Sequence, residues 1–148
     1  MPETDPLAGQ LVLLIEDDAF LSNYVGGALA SAGAQIIGPA RTSEEAELLI
    51  QRLRVSPQAV VASATVVGVN GEGFANALVG LGAPILLLKK DGRHPDPLFR
   101  CDDVLTVPFA AYQVVESLRR LRENAIAASP HRSAEELAAE TEMMANNR

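Results

Sequence analysis

The sequence predicts an α/β protein built around a parallel β-sheet. Short continuous apolar runs, such as LVLLI at residues 11–15 and ILLL at residues 85–88, are typical of strands buried on both faces. These runs alternate with longer segments whose apolar residues recur at helical spacing, which favours parallel strands joined by right-handed helical crossovers. Aromatic residues make up only 4% of the 148 residues and Trp is absent, so we expect an aliphatic core.

The first half of the chain predicts two strand–helix units. The strand at residues 11–15 is followed by a helix to about residue 32, which Gly33 ends as the residue after the C-cap. Residues 34–38 (AQIIG) form the second strand. Thr42, with Glu45 three residues later, is a capping-box pattern and begins the second helix.

The middle of the chain predicts two further strands and a degraded crossover. The third strand covers residues 58–62, and a loop leads from it to a short helix at residues 72–80. The fourth strand covers residues 85–88. The segment at residues 89–103 contains one glycine and two prolines where a helical crossover is expected. We therefore predict a loop there with at most one helical turn, in place of a full fourth helix.

The last part of the chain predicts a strand, a long helix and a tail. Residues 103–106 (DVLT) form the fifth strand, and residues 110–127 form a helix. Four apolar residues of that helix point inward: Val114, Val115, Leu118 and Leu121. We expect residues 1–8 to be an N-terminal extension, residues 9–127 the folded domain, and residues 128–148 a tail with a short helix.

Composition excludes several classes of function. Twelve Lys and Arg residues against nineteen Asp and Glu give a net charge of −7, which repels a phosphate backbone and argues against nucleic-acid binding. Cys101 is the single cysteine, so no intramolecular disulfide can form and a reducing cytoplasm is expected. We find no signal-peptide pattern and no apolar run near the ~20 residues that a membrane helix needs.

Charged and polar residues stand where the predicted strands end. Glu16, Asp17 and Asp18 follow the first strand, Ser63 and Thr65 follow the third, and residues 89 and 107–108 follow the fourth and fifth. In a parallel sheet these ends meet at the edge where ligands bind. Consecutive carboxylates after a buried strand are costly unless a cation or base neutralises them. Alternatively, Asp18 serves only to cap the following helix.

Three stretches of the sequence stand out together: LVLLIEDDAFL, PQAVVASATVVGVNG and VLTVPF. They resemble the motifs of response-regulator receiver domains, the CheY-like phosphoacceptors of bacterial two-component signalling, and the resemblance covers roughly residues 9–125. The pattern GPA-x-T-x-x-EA at residues 38–46 is similar to that of a subset of stand-alone receivers. The resemblance implies a flavodoxin-like, doubly wound sheet of five strands in the order 2-1-3-4-5, with an extra C-terminal helix.

The resemblance also implies a phosphorylation site that has been lost. In the family, an acidic pair and an Asp ending the third strand hold Mg²⁺, and that Asp accepts the phosphoryl group. Glu16 and Asp17 match the acidic pair, and Thr65 matches the residue that offers a backbone carbonyl to the metal. The remaining positions differ: Ser63 replaces the acceptor Asp, Lys89 a Thr or Ser, Val107 a Lys, and Val104 an aromatic switch residue.

Each replacement weakens phosphoryl chemistry for its own reason. A serine hydroxyl is protonated at neutral pH and needs a base to become a nucleophile. Mg²⁺ prefers hard anionic oxygens, so without the third carboxylate we expect at most weak binding at Glu16 and Asp17, and no cofactor. We hypothesise that the Lys89 ammonium replaces the metal as an internal counter-ion of these carboxylates. The alternative is that Lys89 and Lys90 both extend into solvent.

These observations predict a stand-alone pseudo-receiver that is not an enzyme and signals through protein–protein contacts. A histidine kinase, a phosphotransfer protein or another response regulator is the partner that the resemblance implies, and a homodimer is possible. Alternatives are regulation by a cation, by a small ligand or by phosphorylation of Ser63, and, remotely, a hydrolase at the same strand ends. His94 and His131 lack the spacing of metal ligands.

Overall fold

The protein is an all-parallel five-stranded sheet with helices on both faces. The computed structural model describes residues 5–67, 71–90 and 101–126. The strand order is β2-β1-β3-β4-β5, and every neighbouring pair is parallel, as predicted. The strands are β1 (Leu11–Ile15), β2 (Gln35–Ala40), β3 (Ala59–Ser63), β4 (Ile85–Lys89) and β5 (Asp103–Thr106).

The helices divide between the two faces of the sheet. They are α1 (Ala19–Ser31), α2 (Ser43–Arg52), α3 (Ala64–Val67), α4 (Gly71–Val79) and α5, helical over residues 111–126. One core cluster joins the sheet to α1 and α5 through residues such as Val25, Leu29 and Leu118. The second joins it to α2, α3 and α4 through residues such as Ala46, Val66 and Phe74. Four of the five helices in the described residues match predicted ones, and α3 replaces the first turn of the predicted loop after β3.

Side-chain caps begin the first two long helices. The Asp18 carboxylate accepts a hydrogen bond from the Leu21 amide at 2.9 Å, so Asp18 is the N-cap of α1. The Thr42 hydroxyl accepts from the Glu45 amide at 3.1 Å and caps α2. The Glu45 carboxylate closes the turn by accepting from the Arg41 amide at 2.8 Å, one residue earlier than a capping box requires.

A bulge in β2 adjusts the edge of the sheet beside the acidic residues. Leu13 pairs with Ile37 and Ile15 pairs with Ala40, so β2 carries one extra residue there and continues two residues beyond its predicted end. Gly38 lies in the bulge with φ +105°, and a Cβ atom on it would lie 2.7 Å from the Leu14 carbonyl oxygen. The bulge ends with the Glu16 amide donating to the Ala40 carbonyl at 2.9 Å, which fixes the chain where β1 ends.

The segment before β1 packs onto the domain. Leu7, which falls within the predicted N-terminal extension, is fully buried in the cluster beneath α1 and α5. Its amide donates to the carbonyl of Ala32 at 2.8 Å. The predicted degraded fourth helix and the predicted tail helix lie largely or wholly outside the described residues. Among those residues, no helix combines the length and apolar character needed to cross a membrane.

Candidate functional site

The acidic run lies at the carboxyl edge of the sheet, on the loop between β1 and α1. Glu16 is fully buried, whereas the side chains of Asp17 and Asp18 are 42% and 40% exposed. The Glu16 Oε2 atom accepts from the Asp18 amide at 3.0 Å. Three consecutive carboxyl groups therefore turn toward one pocket, with the innermost of them withdrawn from water.

Burial controls the ionisation of Glu16. Burial raises the pKa of this carboxyl from its ordinary value of 4.5 to about 7, despite the opposing effects of the Asp18 amide and of the Lys90 charge. The Oε1 atom has no hydrogen-bond partner as an acceptor, but a protonated Glu16 can donate to the Asp17 carboxylate. Near neutral pH, Glu16 consequently exchanges a proton and does not carry a permanent charge.

A hydrogen-bonded chain links β3 to Asp17. The Thr65 hydroxyl donates to Asp17 Oδ1 at 2.8 Å, and the Ser63 and Thr65 hydroxyl oxygens lie 2.7 Å apart. Because Thr65 has one hydroxyl proton and gives it to the carboxylate, the Ser63 hydroxyl donates to Thr65. Burial raises the pKa of Asp17, but the hydrogen bonds from Thr65 and Glu16 and the charge of Lys90 outweigh it and lower the pKa overall.

The side chain of Ser63 is held in place by the start of α3. Ser63 is fully buried, and its Oγ atom accepts from the Thr65 amide at 3.3 Å, which is the role of an N-cap residue. The Ser63 hydroxyl thus both donates and accepts a hydrogen bond, in each case with Thr65. No basic side chain among the described residues hydrogen-bonds to it, so the arrangement lacks the activating base that a serine nucleophile requires.

Lys90, not Lys89, supplies the counter-ion of the acidic run. The Lys90 Nζ atom lies 3.8 Å from Glu16 Oε2, 3.6 Å from Asp17 Oδ1 and 3.8 Å from Asp18 Oδ2. The hypothesis that Lys89 plays this part is wrong, because Lys89 makes no ion pair with any of these carboxylates. The alternative that both lysines extend into solvent is wrong for Lys90.

The other predicted positions lie apart from this cluster. Lys89 is the last residue of β4, and the nearby Cys101 thiol experiences its charge. Val104 is 40% exposed on β5. Val107 follows β5, and its amide donates to the Lys89 carbonyl at 2.8 Å. The structure therefore brings together Glu16, Asp17, Ser63 and Thr65 and leaves Lys89, Val104 and Val107 outside their contacts.

Sequence reasoning missed two basic residues at the site. Lys90 is the neighbour of Lys89, the lysine predicted for the site. The two differ in that Lys89 is the last residue of β4 and Lys90 follows the strand. Arg41 donates from Nη2 to the Asp17 carbonyl at 3.2 Å. Arg41, Ser43, Glu44, Thr65 and Asp17 also line a shallow cleft of about 260 Å³ beside the acidic run. The sequence signal for Arg41 was its place directly after β2, at the same edge of the sheet.

The residues present do not fit a Mg²⁺ ion. Mg²⁺ requires near-octahedral oxygen ligands at about 2.0–2.1 Å, commonly including carboxylates. Here a serine stands at the end of β3, and the Lys90 ammonium lies among the three remaining carboxyl groups. Within residues 5–67, 71–90 and 101–126, no group of three acidic, His or Cys side chains is arranged to hold a metal ion.

Comparisons with known proteins identify the fold. No family model and no curated protein sequence matches the chain. Solved structures do match it. A CheY-like receiver domain protein from Methanospirillum hungatei JF-1 is 21% identical with a TM-score of 0.62, and the match covers 76% of this chain and 94% of the other.

Two further matches agree. For the chemotaxis response regulator CheY4 of Vibrio cholerae, the identity is 19%, the TM-score is 0.63, and the match covers 76% of this chain and 98% of the other. For NtrX from Brucella abortus, the identity is 17% and the TM-score 0.66, over 86% of this chain and 29% of the other. At these identities, the comparisons establish that the chain has the fold of response-regulator receiver domains.

Proposed function

We propose that this receiver-fold protein acts in two-component signalling through protein–protein interaction, without aspartyl phosphorylation. One observation carries the proposal: the residue at the end of β3 is Ser63, buried and hydrogen-bonded to Thr65. Phosphorylation there would need a carboxylate nucleophile at the end of β3 and a divalent cation, and these two places are taken by the Ser63 hydroxyl and the Lys90 ammonium. The proposal includes that the protein is not an enzyme and that its output depends on its partner. A cytoplasmic location belongs to the same proposal.

A group of aromatic residues, most of them exposed, offers the contact surface. Phe20, Tyr24, Phe109 and Tyr112, here called the aromatic face, include four of the chain's six Phe and Tyr residues. Phe20 and Tyr112 are 73% and 72% exposed. Phe20 stacks on Tyr24 with ring centroids 6.0 Å apart, and the Tyr24 ring lies 6.4 Å from that of Phe109. Three of these four rings are exposed, and Phe109 is half-buried and packs against the core beside them.

The solvent side of α1 extends this surface. The helix sequence AFLSNYVGGALAS contains no charged residue, although the exposed side of a helix in a soluble protein is ordinarily charged or polar. The Tyr24 hydroxyl accepts from the Ala111 amide at 3.0 Å, which fixes α1 against the start of α5. Tyr24 and the helix that carries it are therefore fixed before a partner binds, which lowers the entropy cost of binding at this position.

Charge indicates the chemistry of the partner. The chain carries a net charge of −7, so two copies repel each other, and α1 presents no charged residue that could offset this. A helix with an apolar stripe flanked by Lys and Arg residues matches both features. We propose that such a helix, belonging to a histidine kinase or a phosphotransfer protein, packs on the aromatic face.

A mass measurement tests the loss of phosphorylation. The purified protein is incubated with a small phosphodonor and Mg²⁺, and its intact mass should not change. The Ser63→Ala variant is the control for reaction at the hydroxyl. A gain of one phosphate that disappears in Ser63→Ala would establish Ser63 as the acceptor instead, and the proposal would be wrong.

A binding measurement tests the surface. Co-purification from the source cell nominates a partner, and binding is then measured with both proteins purified. The double variant Phe20→Ser and Tyr112→Ser should weaken binding by at least about tenfold, because exposed aromatic anchors dominate the energy of interfaces. Val55→Ser is the matched control, since Val55 is an apolar residue that is 64% exposed away from the aromatic face. If the double variant and the wild type bind the partner with equal affinity, this assignment is wrong. If the wild type dimerises with rising concentration and the double variant does not, the surface binds a second copy of the chain instead.

A further inference from the structure

The geometry points to Lys90 as a tethered substitute for a metal ion, which closes the pocket at the end of β1 to divalent cations. This inference deepens the proposed function, because it rests on a pocket that does not carry out phosphoryl chemistry. It does not depend on which partner binds. A cation titration and a partner-binding experiment can therefore succeed or fail independently of each other.

The ammonium occupies a central position among the carboxyl groups. Its distances to one oxygen each of Glu16, Asp17 and Asp18 fall between 3.6 and 3.8 Å. These distances exceed the 2.7–3.2 Å of a direct hydrogen bond, so Lys90 is not paired with a single partner. A charge held almost equally far from three oxygens is shared by the whole group and partly offsets its negative charge, as a bound ion would.

The topology explains how a lysine that directly follows β4 reaches residues that follow β1. Strand β3 lies between β1 and β4, and Ser63, its last residue, pairs with Leu88, two residues before Lys90. Neighbouring strands are about 4.8 Å apart, so the lysine side chain has to pass over the end of β3. Ser63 is small and its hydroxyl turns toward Thr65, which leaves that path open.

The consequence for metal binding is electrostatic. An ammonium about 4 Å from a divalent cation would weaken its binding by more than tenfold even with the full dielectric constant of water between them. The side chain of Lys90 is 32% exposed, so it is tethered but not sealed in place. Lys90 therefore opposes a divalent cation by its charge, and removing that charge should make the pocket accessible.

The test restores the missing carboxylate and then removes the lysine. Mn²⁺ is titrated into Ser63→Asp, into Ser63→Asp with Lys90→Met, and into Ser63→Asp with Lys89→Met, and free Mn²⁺ is measured by electron paramagnetic resonance. Lys89→Met is the matched control, because this neighbouring lysine makes no ion pair with the acidic run. We expect Lys90→Met to lower the dissociation constant by at least about tenfold and Lys89→Met to change it by much less.

Two results would overturn the inference. The first is that the Ser63→Asp variant and the Ser63→Asp, Lys90→Met variant bind Mn²⁺ with equal affinity, or that neither of them binds it. The second is a saturable Mn²⁺ site in the wild-type protein with an affinity like that of the Lys90→Met variant. Circular dichroism establishes that each variant is folded, and Lys90→Gln provides the same comparison if Lys90→Met does not fold.

Discussion

Replacing Glu16 by Gln should make the protein more stable at pH 8 and should flatten the dependence of its stability on pH. Burial raises the pKa of Glu16 from 4.5 to about 7. The folded protein holds this proton more tightly than the unfolded chain does. The stability that protonated Glu16 contributes to the fold is therefore fully present below about pH 4.5. It is lost as the pH rises to about 7, where the buried carboxyl ionises.

The size of the effect follows from that shift. At about 1.4 kcal/mol per pKa unit, a rise from 4.5 to about 7 corresponds to about 3 kcal/mol of unfolding free energy lost by pH 8. Glutamine imitates the neutral carboxyl and can still accept from the Asp18 amide, so Glu16→Gln should avoid most of this loss. The ion pair with Lys90 reduces the gain but does not abolish it, because Asp17 and Asp18 still face the ammonium.

Urea unfolding at several pH values measures the effect. The chain has no Trp, so circular dichroism is the suitable signal. At pH 8, the urea concentration at the unfolding midpoint should be about 1–3 M higher for Glu16→Gln than for the wild type. Near pH 5, the two midpoints should be nearly equal. Glu44→Gln controls for the loss of one negative charge at an exposed position. A constant difference between Glu16→Gln and wild type from pH 5 to pH 8 would show that Glu16 does not ionise in this range.

Three further substitutions test the packing of the N-terminal segment, a hydrogen bond at the site and the bulge in β2. Leu7→Ala should cost about 2–5 kcal/mol in thermal unfolding, and Leu48→Ala, at a position 49% exposed, should cost much less. Thr65→Val should cost about 1–3 kcal/mol in urea unfolding, because it removes the hydroxyl between a serine and a carboxylate; no loss would mean that these bonds do not form in solution. Gly38→Ala should lower the melting temperature because φ there is +105°, whereas Gly27→Ala, in a helix with open space around it, should raise it. The opposite order would contradict the backbone described for β2.

Most of the fold was predictable because buried parallel strands have a simple pattern. The first and fifth strands coincide with their predicted ranges, and the apolar run at residues 85–88 accounts for all but one residue of β4. Helix α3 was not predicted, because β-branched residues such as Val66 and Val67 disfavour helices. Its single turn is formed because Ser63 caps it and the two valines are buried under the sheet.

The candidate site was predictable up to the direction of one side chain. The acidic residues, Ser63 and Thr65 all follow strands whose order the family resemblance implied, so their proximity followed from topology. The choice between Lys89 and Lys90 depended on where β4 ends. The strand continues to Lys89, one residue beyond its predicted end, and successive residues of a strand point to opposite sides. An error of one residue at the strand end was therefore enough to select the wrong lysine.

The uncharged surface of α1 has a consequence for the behaviour of the protein in concentrated solution. The aromatic face carries no charge of its own, so the carboxylates around it, among them Asp18 at the N-cap of α1, oppose the association of copies there. That protection reaches only about 10 Å at 0.1 M salt and about 3 Å at 1 M. Salt should thus promote self-association through the rings at Phe20 and Tyr112, and dilute buffer should keep the protein dispersed.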